Sequence, residues 1–469
     1  MYWHTGTRLP LRCVIRSRHK TGTPVFHLHS IDASGTTGVF FVKNIREGSN
    51  GIDVSYLQLA LKRAGYPVRI DGIFGSGTCK ALQAYLGEDE SCEVNEEVWE
   101  QLMPYITGSV MHTVEPGDSL WSLAGKYRTT VLAIETANPQ VRAEDLMIET
   151  ELVIPLGFEL VSSEVEMSSE WNAYILEGLL LRYPFLHLFT AGESVMGKPL
   201  YVLTIGEGGR EVFYNAAFHA NEWITTPVLL KFAEEYAHAV AAGRRIGQIP
   251  AGLLYEAFTL YLMPMVNPDG VDLVTGALMD GSYYENARTI AADYPAIPFP
   301  DGWKANIEGI DLNLQFPAGW EQARENKEAL GYVSPAPRDF PGSGPLTAPE
   351  SETVYRFTLQ HRFALILAYH TQGRVIYWKY LDYNPTDSYE IAQYFSSVSG
   401  YAVEETPSAS GYAGYKDWFI SNYNLPGYTI EAGEGENPLP LSQFDTIYAA
   451  NLGILVGGMW KLLEEAQNL

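Results

Sequence analysis

Residues 169–469 carry six short apolar runs, at 200–205, 212–217, 257–265, 365–369, 375–378 and 427–431. They alternate with stretches of helical spacing such as 227–242 and 350–361. Apolar runs of this length, bounded by turn signals, mark strands buried on both faces. Their alternation with helices calls for an α/β domain with a mostly parallel sheet covered by helices. In such sheets ligands gather at the carboxyl ends of the strands. Three of the runs end in a residue that can bind a metal or move a proton: 212–217 leads through Phe218 to His219, 365–369 leads to His370, and 427–431 closes on Glu431.

His219-Ala-Asn-Glu222 places an imidazole and a carboxylate three residues apart, on one side of a helical turn. Such donors suit zinc, and a catalytic zinc takes three protein ligands and keeps one position open. His370 follows a buried-strand signal and precedes the loop Thr371-Gln-Gly373, so it is the expected third ligand. His187, in an apolar helix-like stretch, and His238 and His361, in amphipathic helices, are read as structural. Glu431 precedes the small residues Ala432-Gly433. A carboxylate there can take a proton from an attacking water and return it to a leaving amine, while the metal polarises the scissile carbonyl.

The 469-residue length suggests two to four domains, and a 46% hydrophobic share is ample for packed cores. A net charge of −25 argues against nucleic acid as a partner. No run of about 18 apolar residues is present, so no membrane span is expected. Cys13, Cys79 and Cys92 lack metal-type spacing and are read as free thiols, with a Cys79–Cys92 disulfide as the alternative. Residues 1–46 carry seven Lys or Arg against Asp32 and are expected to be a disordered basic extension. They contain no apolar core of the kind a secretory signal has.

Between this extension and the α/β domain lie two small units. In 47–108 a helix signal ends at Gly65-Tyr66; the Gly-rich turn Ile70–Thr78 follows, then a second helix, Lys80–Leu86. This arrangement resembles the peptidoglycan-binding helical domains found beside cell-wall hydrolases. In 109–157, His112-Thr-Val opens a strand. The Pro116-Gly117 turn leads to a helix that Asp118 or Ser119 can cap, a second helix ends at Asn138-Pro139, and Glu151–Pro155 closes as a strand. The pattern is similar to the LysM module, which binds N-acetylglucosamine-containing glycans; Trp121 is read as a core residue within it. Residues 158–168 are an acidic linker.

Within 169–469 the order His219-x-x-Glu222, Asn267-Pro-Asp-Gly270, Gly309-Ile-Asp311-Leu-Asn313, His370, Thr429-Ile-Glu431 resembles the zinc carboxypeptidase family. The resemblance implies a mixed eight-stranded α/β/α fold, one zinc on His219, Glu222 and His370, and Glu431 as general base. Two departures bear on the substrate. Relatives follow Asn313 with an Arg that grips the terminal carboxylate, and here it is Leu314. They also carry an Arg near the Trp303-Lys304 stretch, for which Arg288 is the nearest upstream candidate. A bidentate Arg–carboxylate clamp has no substitute in Leu. Lys416, before Asp417-Trp418, falls at the base of the specificity pocket and would suit an acidic substrate group; the tyrosine over the site is Tyr412 or Tyr415. Asn313, Lys416, Tyr412 and Arg288 are therefore the expected substrate contacts.

The wall-binding modules and the lost Arg resemble one branch of that family, peptidases that cut the γ-D-glutamyl-meso-diaminopimelate bond of peptidoglycan stem peptides. Peptidoglycan glycan and stem peptides are the implied partners, and a cell-wall or spore-layer location is implied, with a cytoplasmic one as the alternative. A zinc carboxypeptidase of broader specificity, or a wall-binding protein with an inactive catalytic domain, remains the alternative reading.

Overall fold

The computed structural model describes residues 43–87, 92–407 and 411–467. The basic extension, up to residue 42, lies outside them. Three helices, α1 (Ile52–Arg63), α2 (Ser76–Leu86) and α3 (Glu96–Thr107), form the first unit. The turn between α1 and α2 is organised by buried Gln58, whose Oε1 accepts from Asp71 N and Gly72 N. Cys79 and Cys92, read above as free thiols, are joined in a disulfide, their Cα atoms lying 5.1 Å apart.

The second unit pairs β1 (Ser109–Thr113) with β2 (Glu151–Pro155) antiparallel around α4 (Leu120–Lys126) and α5 (Val131–Ala137). Ser119 caps α4 through the Ser122 amide, whereas Asp118 bonds His112 and the Glu115 amide. Trp121 is 81% exposed, against the expectation of a core residue. Leu120, Leu123 and Ala124 take the inward face of α4 at spacings of three and four, which turns Trp121 to solvent.

The remaining residues build an eight-stranded mixed sheet covered by helices. Its strands in chain order are β3 (His187–Glu193), β4 (Pro199–Ile205), β5 (Arg210–Ala216), β6 (Phe258–Met263), β7 (Phe363–His370), β8 (Val375–Tyr377), β9 (Ala402–Glu404) and β10 (Gly427–Glu431). They are ordered β9-β8-β10-β7-β5-β6-β4-β3. The four central strands, β10, β7, β5 and β6, run parallel. His187, read in a helix-like stretch, opens edge strand β3, whose outer face is too exposed to keep a clean apolar period.

Helices α6 (Ser169–Arg182) and α7 (Thr225–Ala241) connect this domain to the smaller units. The linker 158–168 is packed: Leu160, Val161 and Met167 are buried. The buried Glu234 carboxylate accepts from Leu160 N and Val161 N and pairs with Arg182, whose Nη2 donates to Gly108 O and Leu156 O. Tyr56 of α1 stacks on Trp171 of α6 at 4.1 Å. The C-terminal helix, α8 (Phe444–Gln467), is long and apolar enough to cross a membrane by length and composition. Here Ile454, Leu455 and Met459 are buried, and Tyr214 of β5 donates to Leu455 O.

Candidate metal centre and active site

The parallel register places His370 opposite Glu431 on one rung and Tyr369 opposite Ala216, so the ends of β5, β7 and β10 lie side by side. Beyond Ala216 the chain turns through Ala217, whose φ of 52° is left-handed, into a single helical turn at Ala220–Glu222. Thr225 Oγ1 accepts from Ala217 N and donates to Glu222 O, which closes this turn. The Asn267-Pro-Asp-Gly270 motif clamps it from outside. Asn267 caps its own helix at Gly270 N and donates to Phe218 O and Ala305 O. A Cβ at Gly270 would meet Asn267 and Ala220 below 3.0 Å, which accounts for the glycine.

The three side chains converge. His219 Nδ1 lies 3.0 Å from Glu222 Oε1, His370 Nδ1 lies 2.9 Å from Glu222 Oε2, and the two Nδ1 atoms are 3.1 Å apart. All three residues are buried, with donor atoms within 4.8 Å of one another. Two imidazole nitrogens and a carboxylate turned toward one another at this spacing fit a cation between them, and two imidazoles with a carboxylate suit zinc. The outer partner of His219 is Asp311, whose Oδ1 lies 3.2 Å from Nε2 and so leaves Nδ1 for the metal. Phe218 stacks on the His370 ring.

The electrostatics follow from this crowding. Burial opposes charge on His219, but the Glu222 and Asp311 carboxylates outweigh it and push the ring up to about 9. Glu222 would be raised by burial, yet His219 and Lys304 hold it well below the usual carboxylate range. His370 is lowered, chiefly by burial. Zinc must therefore displace a proton from His219. Titrating metal-stripped protein with zinc should give an apparent affinity that rises about tenfold per pH unit and levels off above about pH 9. An affinity independent of pH between 6 and 8 would contradict this.

Glu431 stands beside the cluster. Burial, reinforced by the Glu222 charge, pushes its carboxyl up to about 8. Lys304 was not singled out by sequence reasoning, which searched its stretch for an Arg. Its Nζ lies 3.0 Å from Glu222 Oε1, with the side chain 17% exposed. A partly buried cation therefore stands against the carboxylate of the metal-binding cluster. Asp311 was quoted as part of a motif with no role assigned to it.

The expected substrate contacts fare differently. The Lys416 side chain is 4% exposed and its ammonium is fully engaged, by Asp417 at 2.6 Å, Lys379 O at 2.7 Å and Thr406 Oγ1 at 3.1 Å. Buried and already neutralised by Asp417, it is not presented to a substrate carboxylate. Arg288 pairs with Glu285 one turn away on its own helix, and its side chain is 61% exposed. Asn313 accepts from Tyr415 N and anchors the helix Tyr415–Tyr423. Tyr415 is core, bonded to Thr358, so Tyr412, half-buried beside Tyr380, is the remaining tyrosine near this loop. Leu314 is sealed against Trp320, Ala323 and Ala413, with no cation in its place.

An α/β sheet with His-Glu-His at its strand ends and a partly buried Glu alongside defines a zinc-dependent peptidase. The chain belongs to the zinc carboxypeptidase family, whose profile matches residues 174–452, and it carries a LysM domain at residues 112–155. It is 43% identical over 305 residues to "Gamma-D-glutamyl-L-diamino acid endopeptidase 1" of Lysinibacillus sphaericus, covering 65% of this chain and 75% of that one. It is 40% identical over 284 residues to the Bacillus subtilis protein YqgT, covering 60% and 73%. Bovine thrombin-activatable fibrinolysis inhibitor shares the fold at 18% identity and a TM-score of 0.50, covering 65% of this chain and 99% of that one.

Proposed function

We propose that the protein hydrolyses the bond between the γ-carboxyl of D-glutamate and meso-diaminopimelate in peptidoglycan stem peptides. The observation that carries this is the combination of a complete His219–Glu222–His370 set with Leu314 sealed where relatives grip a terminal carboxylate. The 43% identity to a γ-D-glutamyl-L-diamino acid endopeptidase supports the bond type. The LysM domain supports contact with wall glycan and a cell-wall association.

In this reading His219, Glu222 and His370 hold the zinc, which supplies polarisation of the scissile carbonyl and activation of water. Glu431 takes the proton of the attacking water and delivers it to the leaving amine of diaminopimelate. Lys304 faces the developing oxyanion. Asp311 keeps His219 in the orientation that presents Nδ1.

The discriminating assay compares L-Ala-γ-D-Glu-meso-diaminopimelate with an ordinary α-linked peptide ending in a free carboxylate. The γ-linked peptide should be cut at least ten times faster. Faster release of single residues from the α-linked peptide would favour broad carboxypeptidase activity instead. Trp121 is read as a platform for sugar. Trp121→Ala should weaken retention on insoluble peptidoglycan about ten- to a hundredfold, the effect of losing one aromatic side chain that a bound sugar would cover, and leave tripeptide hydrolysis unchanged. Unchanged retention would exclude that platform.

A further inference from the structure

A γ-glutamyl link uses the side-chain carboxyl, so the D-glutamate keeps a free α-carboxylate four bonds from the scissile carbonyl, on the acyl side. With Leu314 in the apolar cluster, no cation among the described residues stands at the position where relatives meet a leaving-side carboxylate. The cations near the cluster can be sorted by what already occupies them. Lys304 is paired with Glu222, Lys327 is tied to Asp339 and mostly buried, and Lys416 is buried against Asp417.

Arg338 differs from all of these. It lies in the strap Pro335–Pro341, which is stitched to the site on both sides of it. Pro337 O accepts from Lys304 N at 2.7 Å and from Ala305 N at 2.9 Å. On the other side Asp339 N donates to Asp311 Oδ2 at 3.1 Å, the carboxylate that orients His219. Asp311 N in turn donates to Phe340 O. Asp339 is held at φ 66°, a left-handed backbone that a non-glycine residue keeps only under such constraint. The Arg338 side chain is 43% exposed, and Asp339 engages its Nε at 2.6 Å. Of the five guanidinium donors, those on Nη1 and Nη2 remain for a second carboxylate, in the fork that carboxylates accept bidentately.

We propose that Arg338 is the specificity residue that receives the free α-carboxylate of the γ-linked D-glutamate. The inference rests on the substrate reading above. Recognition then falls on the acyl residue rather than on a terminal carboxylate, so the bond is chosen by the linkage of the glutamate.

The test uses two substrates, L-Ala-γ-D-Glu-meso-diaminopimelate and its counterpart with the glutamate α-carboxylate amidated, against full-length wild type, Arg338→Gln and Arg338→Lys. Wild type should prefer the carboxylate form. Arg338→Gln should lose about ten- to a hundredfold in kcat/KM on that form, mainly through KM, as expected for a charged hydrogen bond. On the amidated form it should change little, and Arg338→Lys should restore part of the preference. Equal losses on both substrates, or a wild type indifferent to amidation, would overturn the proposal. Unchanged zinc content and thermal midpoint in Arg338→Gln exclude a folding effect. Cleavage of neither substrate by wild type would bring down the substrate reading itself, and Arg338 with it. Cleavage of both with equal mutant effects would bring down Arg338 alone.

Discussion

Glu431→Gln is expected to lower kcat on the γ-linked tripeptide by roughly 10²–10⁴-fold, the usual worth of a positioned general acid–base group. The substitution keeps size and removes basicity. Glu431 sits at the end of β10, on the same rung as His370, and takes no part in the triangle of metal donors. The zinc content of Glu431→Gln should therefore equal that of wild type, and KM should change little. Desolvation, with the Glu222 charge, pushes Glu431 up to about 8, so loss of this partly buried carboxylate should not cost stability. Retained activity would assign proton transfer to another group. Activity lost together with zinc would make Glu431 a ligand.

His370→Ala produces the complementary result. It should remove stoichiometric zinc and reduce activity at least about a thousandfold, since several kcal/mol of carbonyl polarisation and water activation are lost with the ion. The two variants separate the roles. One loses proton transfer with zinc retained, and the other loses zinc with the base retained. His370→Ala also frees the buried Glu222 and His219 from a partner at 2.9 and 3.1 Å, so the thermal midpoint of the metal-free form should shift less than that of the zinc-loaded form. Full zinc occupancy in His370→Ala would refute its place as third ligand.

The strand ends were legible because burial on both faces leaves continuous apolar runs, and a polar residue closing such a run stands out. His219, His370 and Glu431 were found in that way. Lys304, Asp311 and Arg338 were not, because contacts between loops bring them toward the centre; Asp311 meets His219 across 92 positions of sequence. Asp311 was visible as part of a motif, whereas nothing local marks Arg338. Trp121 misled because its neighbours suggest a core helix, yet its position on α4 points outward. Lys416 misled because its place before Asp417-Trp418 matches a specificity-pocket position in relatives, and only the fold places Asp417, Lys379 O and Thr406 around it. Edge strands β3 and β9 escaped notice for lack of a two-sided apolar pattern.

The most direct test of the account is mass spectrometry of L-Ala-γ-D-Glu-meso-diaminopimelate incubated with metal-stripped enzyme before and after zinc is restored. The account predicts intact peptide before zinc, and L-Ala-D-Glu with free diaminopimelate after it. The same products without zinc, or cleavage at the L-Ala–D-Glu bond, would contradict it.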